Sequence, residues 1–463
     1  MTVVTFDAPG LGDRSYLISD GEVAVVVDPQ RDTSGYLQEA EKLQVAITAV
    51  LETHIHNDYV SGGLALARAT GATYAIPAGE PVAFADERRA LDGGDSFFAG
   101  RLGITAIATA GHTDHHLAYL VRIDDPDQGD SAGDKVVCTG GSLLVNATGR
   151  TDLLGLALAE KLARSQWRSV RNLLTTLPAE TPILPTHGFG SFCSATPTSG
   201  VTAAGATIGQ ELAQNPAALL DEEEFVTAVL SELPPIPAYY RHMAPLNRKG
   251  APAPLFQSVR LLDIEALEAA VGGEIWVVDL RQRRAFAGGH LPGSLNLELG
   301  SNLTTYLGWL VPWESEIVLL AEDEAGLAQA RRLIAQIGRD ELYGAAFWGR
   351  DRDPGRILSY PVASFSDLAA AWKDRVGSEL QVLDVRHHQE WSAGHIEGAS
   401  HKPVQEFAAG KPDLPGGQIW VHCGGGFRAA AAASLLSGWG ASPVMIDDSW
   451  ENALVSGLPI TRN

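Results

Sequence analysis

Three stretches of this chain place histidines where metal chemistry could use them. "LETHIHNDYVSGG" carries His54, His56 and Asp58 in one tight turn followed by Tyr59, "TAGHTDHHLAYLV" carries His112, and "PILPTHGFGSFC" carries His187. Each follows an apolar run, and neutral imidazoles gathered in a concave place can hold one cation. His115 and His116, beside His112, read as supporting or exposed neighbours. A fourth stretch, "IWVHCGGGFRAAAAASLL", has Cys423 opening a turn through Gly424, Gly425 and Gly426 to Arg428, and an alanine-rich helix follows at once. Backbone N–H groups turned inward, with the positive potential of a helix start, favour thiolate over thiol and can hold a persulfide or sulfonate. Arg428 would close the ring with a fixed positive charge.

The elements that must position these residues read as α/β. Short strand-like runs such as "EVAVVVDP" and "ITAIATAGH" alternate with helical ones such as "LLGLALAEKLARSQWRSVRNLL". The reactive residues fall where strand runs end, as ligand sites of open sheets do. Prolines at 234, 235, 237, 245, 252 and 254 predict a stiff connector, with a boundary near Lys249 to Ala253. Beyond it "IWVVDLRQRRAFAGGHLPGSLNL" is echoed by "LQVLDVRHHQEWSAGHIEGASHK", so that Asp279 matches Asp384 and His290 matches His395, 105 residues apart in both cases. A unit of that size is a domain, not a solenoid repeat. The expected division is residues 1–250, 251–353 and 354–463.

The 463 residues suffice for several cores. With 34 Lys plus Arg against 56 Asp plus Glu, the net charge of −22 disfavours nucleic-acid or anionic-membrane partners. No run of about 18 apolar residues occurs, the N-terminus lacks secretory order, and three cysteines suit a reducing compartment. A cytoplasmic protein is expected. Cys138, on an apolar strand, reads as a small buried hydrophobe.

"THIHNDY", "GHT", "GRTDLLG" and "LPTHGFGSFC" together resemble the metallo-β-lactamase fold, an αββα sandwich with a metal cleft along one edge. More narrowly they resemble its persulfide dioxygenases fused to rhodanese domains. In that family one non-haem Fe(II) is held by the first histidine of HxHxD, the histidine of GHT and an aspartate in TGD. By position the first two are His54 and His112, but "CTGGSLL" puts Gly141 where the carboxylate should stand. His56 or Asp58 are the candidates to replace it, and a three-histidine face suits Zn(II) as well as Fe(II). Tyr59 and Gly141 leave a second metal only Asp58 and His187, so at most one metal is expected. The resemblance also puts Arg150 and Asp152 beside the cleft, where the guanidinium could pair with a glutathione carboxylate or merely lock a turn.

"CGGGFR" resembles the rhodanese pattern Cys-x-x-Gly-x-Arg, with Asp384 and Arg386 of "LDVR" as further landmarks of that site. This implies that Cys423 accepts a sulfane sulfur and hands it on. In the earlier repeat Ala321 takes the cysteine position, followed by Glu322, Asp323 and Glu324. Acidic groups repel a thiolate, so that half is expected to be inert. The function implied is oxidation of a low-molecular-weight persulfide to sulfite, with transfer of sulfur to or from thiols, thiosulfate or sulfite. A hydrolase, or a sulfurtransferase with a non-catalytic platform, are the alternatives, and a homodimer is a candidate assembly.

Overall fold

Strand Val23–Val27 is apolar on both faces, and both are covered: Val25 and Val27 enter one core cluster, Ala24 and Val26 another. The two-residue period of a strand requires this of a sheet with layers on either side. The computed structural model describes residues 1–123, 134–195, 206–231, 233–254, 256–271, 274–349, 355–374, 380–413 and 416–462. The chain forms two compact units, Met1–Leu255 with Ala335–Gly338, and Phe256–Ile334 with Arg339–Asn463.

In the first unit a six-stranded sheet runs in chain order: Thr2–Ala8, Asp13–Ser19, Val23–Val27, Ala46–Leu51, Thr73–Pro77 and Arg89–Leu91. A five-stranded sheet, in the order Ile183–Pro185, Lys135–Gly140, Leu117–Ile123, Leu102–Ala108 and Ser96–Ala99, faces it. Tyr16, Val25, Leu51 and Ala75 from one sheet meet Ile104, Leu117, Tyr119 and Cys138 from the other in a shared core. Residues of helices Ser34–Leu43 and Gly63–Thr70 cover the outer face of the first sheet, and Val170, Leu173 and Leu174 of helix Leu156–Thr176 cover that of the second. The result is a sandwich of helix, sheet, sheet and helix. Strands Ala46–Leu51 and Lys135–Gly140 end at one edge of it, delivering Thr53, His54 and Gly141.

The stretch from residue 234 is not wholly a connector. Residues 240–249 form a helix despite Pro245, with Tyr240, Met243, Ala244 and Asn247 buried at the i, i+3, i+4, i+7 spacing of an amphipathic face. It belongs to the first unit.

The second unit holds two parallel sheets. One orders Leu295–Asn296, Trp276–Asp279, Ile317–Ala321 and Gly344–Phe347; the other orders Val362–Ala363, Ser442–Ile446, Gln418–His422, Gln381–Asp384 and Ser400–His401. Their registers correspond. Asp279 pairs with Leu320 and Asp384 with His422, so Ala321 and Cys423 each come next. The two sheets share one compact unit, and helix Phe427–Gly438 links them: Ser434 accepts from the Asn296 N–H, and Ser437 bonds His290. The expected cut between residues 353 and 354 lies outside the described residues.

Asp384 and Arg386, expected among the residues of the cysteine site, are buried and paired with one another. Arg386 is 2% exposed and is spent on Asp384 (2.6 and 3.0 Å), on the Gly394 carbonyl (2.7 Å) and on the ring of Trp450, which it overlies at 3.6 Å. Arg281 treats Asp279, the Gly289 carbonyl and Trp348 in the same way. A buried guanidinium whose Nε and Nη2 are held by a carboxylate and a backbone carbonyl acts as a structural clamp. Arg386→Leu, which strands a buried carboxylate, is expected to cost about 3–5 kcal/mol; urea unfolding measures it, and a loss under about 1 kcal/mol contradicts the clamp.

Candidate functional site

The histidine turn is organised by Asp28, which ends strand Val23–Val27 in the left-handed region (φ 52°). Its carboxylate accepts from the Thr53 N–H (2.7 Å), the Thr53 hydroxyl (2.8 Å) and the Thr186 hydroxyl, and lies 3.3 Å from His56 Nε2. Three chain segments are thereby joined at one buried charge. Helix Tyr240–Lys249 adds Asn247, whose amide donates to the His56 (2.9 Å) and Tyr59 (2.8 Å) carbonyls and accepts from the Ser61 N–H (2.8 Å).

His54, His56, Asp58, His112 and His187 are all brought together and buried. Because the Thr53 hydroxyl donates to Asp28, His54 Nδ1 donates to Thr53 (2.9 Å) and keeps a lone pair on Nε2. His112 Nδ1 donates to the Arg150 carbonyl (2.8 Å), leaving Nε2 without a partner. His187 Nδ1 donates to Asp13 (2.8 Å), and its Nε2 faces His54 Nε2 at 3.5 Å. Two imidazole lone pairs pointing at one another repel, and a cation relieves them. The His54 and His112 rings meet edge-on at 4.9 Å, and those of His112 and His187 lie tilted by 53° at 5.3 Å. Burial, then neighbouring imidazoles, holds His54 and His112 well below the usual histidine range, so both remain neutral, as metal ligands must be. Anchoring of the outer nitrogen is the usual support of a metal-bound histidine. The residues therefore fit a metal ion.

Among the described residues four groups bring three ligand atoms within 4.8 Å: His54, His56 and His187; His112, His187 and Cys193; Asp13, Asp58 and His187; and Asp28, Glu52 and His56. His187 is common to three of them. His56 is divided between two: its Nε2 meets Glu52 (3.2 Å), Asp28 and the Tyr59 hydroxyl (3.0 Å), while Nδ1 has no partner. Burial by itself would lower its pKa, but the charge and hydrogen bonds of Asp28 and Glu52 outweigh burial and raise it to about 10. Burial, then the charge of Asp13, pushes Asp58 up to about 7, and neither Asp58 oxygen has a hydrogen-bond partner.

Gly141 is more than a missing acid. A Cβ there would lie 2.3 Å from His112 Cδ2 and 2.6 Å from Nε2, so the ring occupies the space a side chain would need. His116, which sequence reasoning left as a neighbour, accepts from the Gly141 N–H (3.0 Å) and donates to Thr109 (2.8 Å). Of the two expectations for Arg150, the structure shows the turn lock: it is 1% exposed and bonds Asp152 twice (2.7 and 2.9 Å) as well as the Phe192 and Pro234 carbonyls. It holds the loop whose carbonyl orients His112. Cys138 lies in the core between the sheets, and Cys193 is buried beside Tyr240. Asp13, Asp28, Glu52 and Asn247 were all missed, and of these only "VVVDP", an acid ending an apolar strand, carried a signal.

In the second unit Cys423 follows strand Gln418–His422 and is 2% exposed. The Gly426 N–H donates to its sulfur (3.1 Å), Gly426 sits at φ 91°, and helix Phe427–Gly438 starts there. The Gly424 carbonyl accepts from the Trp450 N–H (3.0 Å) and the Gly425 carbonyl from Arg283 (2.7 Å). Arg428, expected to close the ring with a fixed positive charge, pairs through two nitrogens with Glu390 (2.5 and 2.7 Å). Burial would raise the Glu390 carboxyl, yet Arg428 holds it below the usual range. At the corresponding place beside Ala321 a cavity of about 570 Å³ is lined by Glu322, Asp323, Arg283, Arg284 and Asp447.

Residues 9–187 match the family model of the metallo-beta-lactamase superfamily, and residues 368–454 that of the rhodanese-like domain. The human "Persulfide dioxygenase ETHE1, mitochondrial" is 26% identical over 239 residues, 51% of this chain and 83% of that protein. A hydroxyacylglutathione hydrolase of Hyphomonas neptunium is 34% identical over 135 residues, 28% of this chain and 51% of that protein, so the chain spans about half of this relative. A solved metallo-beta-lactamase from Staphylococcus aureus subsp. aureus COL aligns with TM-score 0.65 at 26% identity, covering 75% of this chain and 99% of that one. Among the described residues no helix is long and apolar enough to cross a membrane.

Gly141→Asp, which supplies a carboxylate by position, is expected to displace the His112 ring, lower metal content and cost about 1–3 kcal/mol. Elemental analysis and urea unfolding check this; an unchanged midpoint with undiminished metal would show that the space exists.

Proposed function

We infer that this chain, an N-terminal metallo-β-lactamase-fold domain with a C-terminal rhodanese-like domain, is an enzyme that oxidises a low-molecular-weight persulfide to sulfite and moves sulfane sulfur through Cys423. The observation that carries the first step is the approach of the lone pairs of His54 and His187, with His112, whose Nε2 is unpartnered, in a three-ligand group with the same His187, all buried. His54, His112 and His187 would hold one metal, with Asp58 beside it. A single Fe(II) there would supply oxygen activation with positions left open for a persulfide sulfur. One metal suits the site better than two, because Tyr59 and Gly141 offer no ligand and His56 Nε2 is committed to Asp28 and Glu52. The chain's own residues keep the three imidazoles neutral, fix their outer nitrogens and exclude water. Zn(II) with a bound water is the hydrolytic alternative, which the similarity to a hydroxyacylglutathione hydrolase keeps in view.

At Cys423 the thiolate attacks the outer sulfur of thiosulfate, the S–S bond breaks, and sulfite leaves with the bonding pair. An acceptor thiolate then takes the outer sulfur and restores the cysteine thiolate. The Gly426 N–H and the helix start stabilise negative charge on sulfur in both steps. The domain expected over residues 251–353 is proposed as a second rhodanese-like copy that has lost the nucleophile. The matching register at Ala321 and the matching Asp279–Arg281 clamp support this.

Anaerobically purified protein is expected to carry about one iron per chain and to consume O2 with glutathione persulfide, giving one thiol and one sulfite per persulfide. Paired metals with thioester hydrolysis would favour the hydrolase, and an empty site the platform. His112→Ala is expected to lose metal and O2 uptake but keep thiosulfate sulfurtransferase activity. Cys423→Ser is expected to do the reverse, and sulfur transfer surviving in it would overturn the role of Cys423.

A further inference from the structure

The cysteine loop is held from outside by the half of the second unit that has no cysteine. Arg283 opens helix Arg283–Gly288, following the strand Trp276–Asp279, and its Nη1 donates to the Gly425 carbonyl at 2.7 Å. Its remaining donors are fixed by Glu298, through Nε (3.1 Å) and Nη2 (2.6 Å), and Nη1 also lies 3.5 Å from Asp447. A Cβ at Gly426 would meet Asp447 Oδ1 at 2.4 Å and Arg283 Nη1 at 2.5 Å, so these two side chains press directly on the outer face of the loop.

The Gly425 carbonyl and the Gly426 N–H belong to one peptide plane. The described chain has no cis peptide, so the two groups point in opposite directions across that plane. Drawing the carbonyl out toward Arg283 therefore turns the N–H in toward Cys423 Sγ, where it donates at 3.1 Å. Rotation of this peptide by half a turn would replace a donor at the sulfur with a carbonyl oxygen. Glycines on both sides make such a rotation sterically cheap, so a partner on the carbonyl is what selects the orientation. The preceding peptide is also held, by the Trp450 N–H on the Gly424 carbonyl.

We propose that Arg283 is a positioning residue for Cys423: the cysteine-less half retains an arginine that holds the Gly425–Gly426 peptide with its N–H toward the sulfur. This rests on the reading of Cys423 as the sulfur acceptor. It gives the inert half a defined task, stabilising anionic sulfur in its partner sheet's loop, and accounts for Arg283 being braced by two nitrogens against Glu298.

The test uses the full chain. In Arg283→Gln the rate of Cys423 alkylation by iodoacetamide at pH 7, followed on the Cys423 peptide by mass spectrometry, is expected to fall about tenfold, the scale of one hydrogen bond to a charged group. The kcat for transfer from thiosulfate to cyanide falls similarly while KM changes less than about threefold. Arg283→Lys, which can still donate to the carbonyl, restores most of both rates, and Glu298→Gln, which loosens Arg283, gives an intermediate loss. Unchanged alkylation and kcat in Arg283→Gln, or equal loss in Arg283→Lys, would overturn the proposal. Alkylation reads the loop whether or not the parent transfers sulfur, so an inactive parent would defeat the functional reading and leave this test intact.

Discussion

The carboxylate of Asp28 is the constraint on which the first unit's site depends. It is fully buried, ends a strand in a left-handed conformation, and is satisfied only because Thr53, Thr186 and His56 all come to it. An isolated buried carboxylate is costly, so these partners must be present together. Meeting that requirement fixes Thr53, the neighbour of His54, and Thr186, the neighbour of His187, and the two imidazoles bring their Nε2 atoms to 3.5 Å with the rings inclined at 70°. The same charge draws His56 Nε2 away from the pocket. The same buried charge thus bears on both ends of the cluster, holding His56 through Nε2 while its Nδ1 stays on the side of His54 and His187.

Close packing imposes the second constraint. The His112 ring lies against Gly141, and the Gly141 N–H is satisfied by His116. A side chain at 141 would enter the space of the His112 ring, so the two positions, distant in sequence, constrain one another's volume. Arg150 follows the same logic: its charge serves Asp152 and two carbonyls, and its own carbonyl fixes the tautomer of His112.

In the second unit the repeated halves share a scaffold and differ in chemistry. Each keeps an Asp–Arg clamp beneath an aromatic ring, Asp279–Arg281 under Trp348 and Asp384–Arg386 under Trp450. Only one keeps the cysteine, the glycine loop and Glu390 opposite Arg428. That ion pair makes the loop less cationic than its sequence implies. The Gly426 N–H, on the peptide whose carbonyl accepts from Arg283, donates to the sulfur.

Local pattern by itself determined the reactive residue types and the elements carrying them. The histidine stretches at strand ends, the "CGGGFR" turn running into a helix and the 105-residue offset between Asp279 and Asp384 are all set within a few neighbouring positions, by strand period, glycine freedom and helix start. Tertiary structure alone decided which nitrogen of each histidine is free, which charges are neutralised and which carbonyls are held outward. Those outcomes rest on partners such as Thr186 for Asp28, Asp13 for His187 and Arg283 for Gly425, separated by 158, 174 and 142 residues. Hydrogen bonding is directional and short in range, so no periodicity along the chain encodes a contact that exists only once the strands have been brought to the same edge.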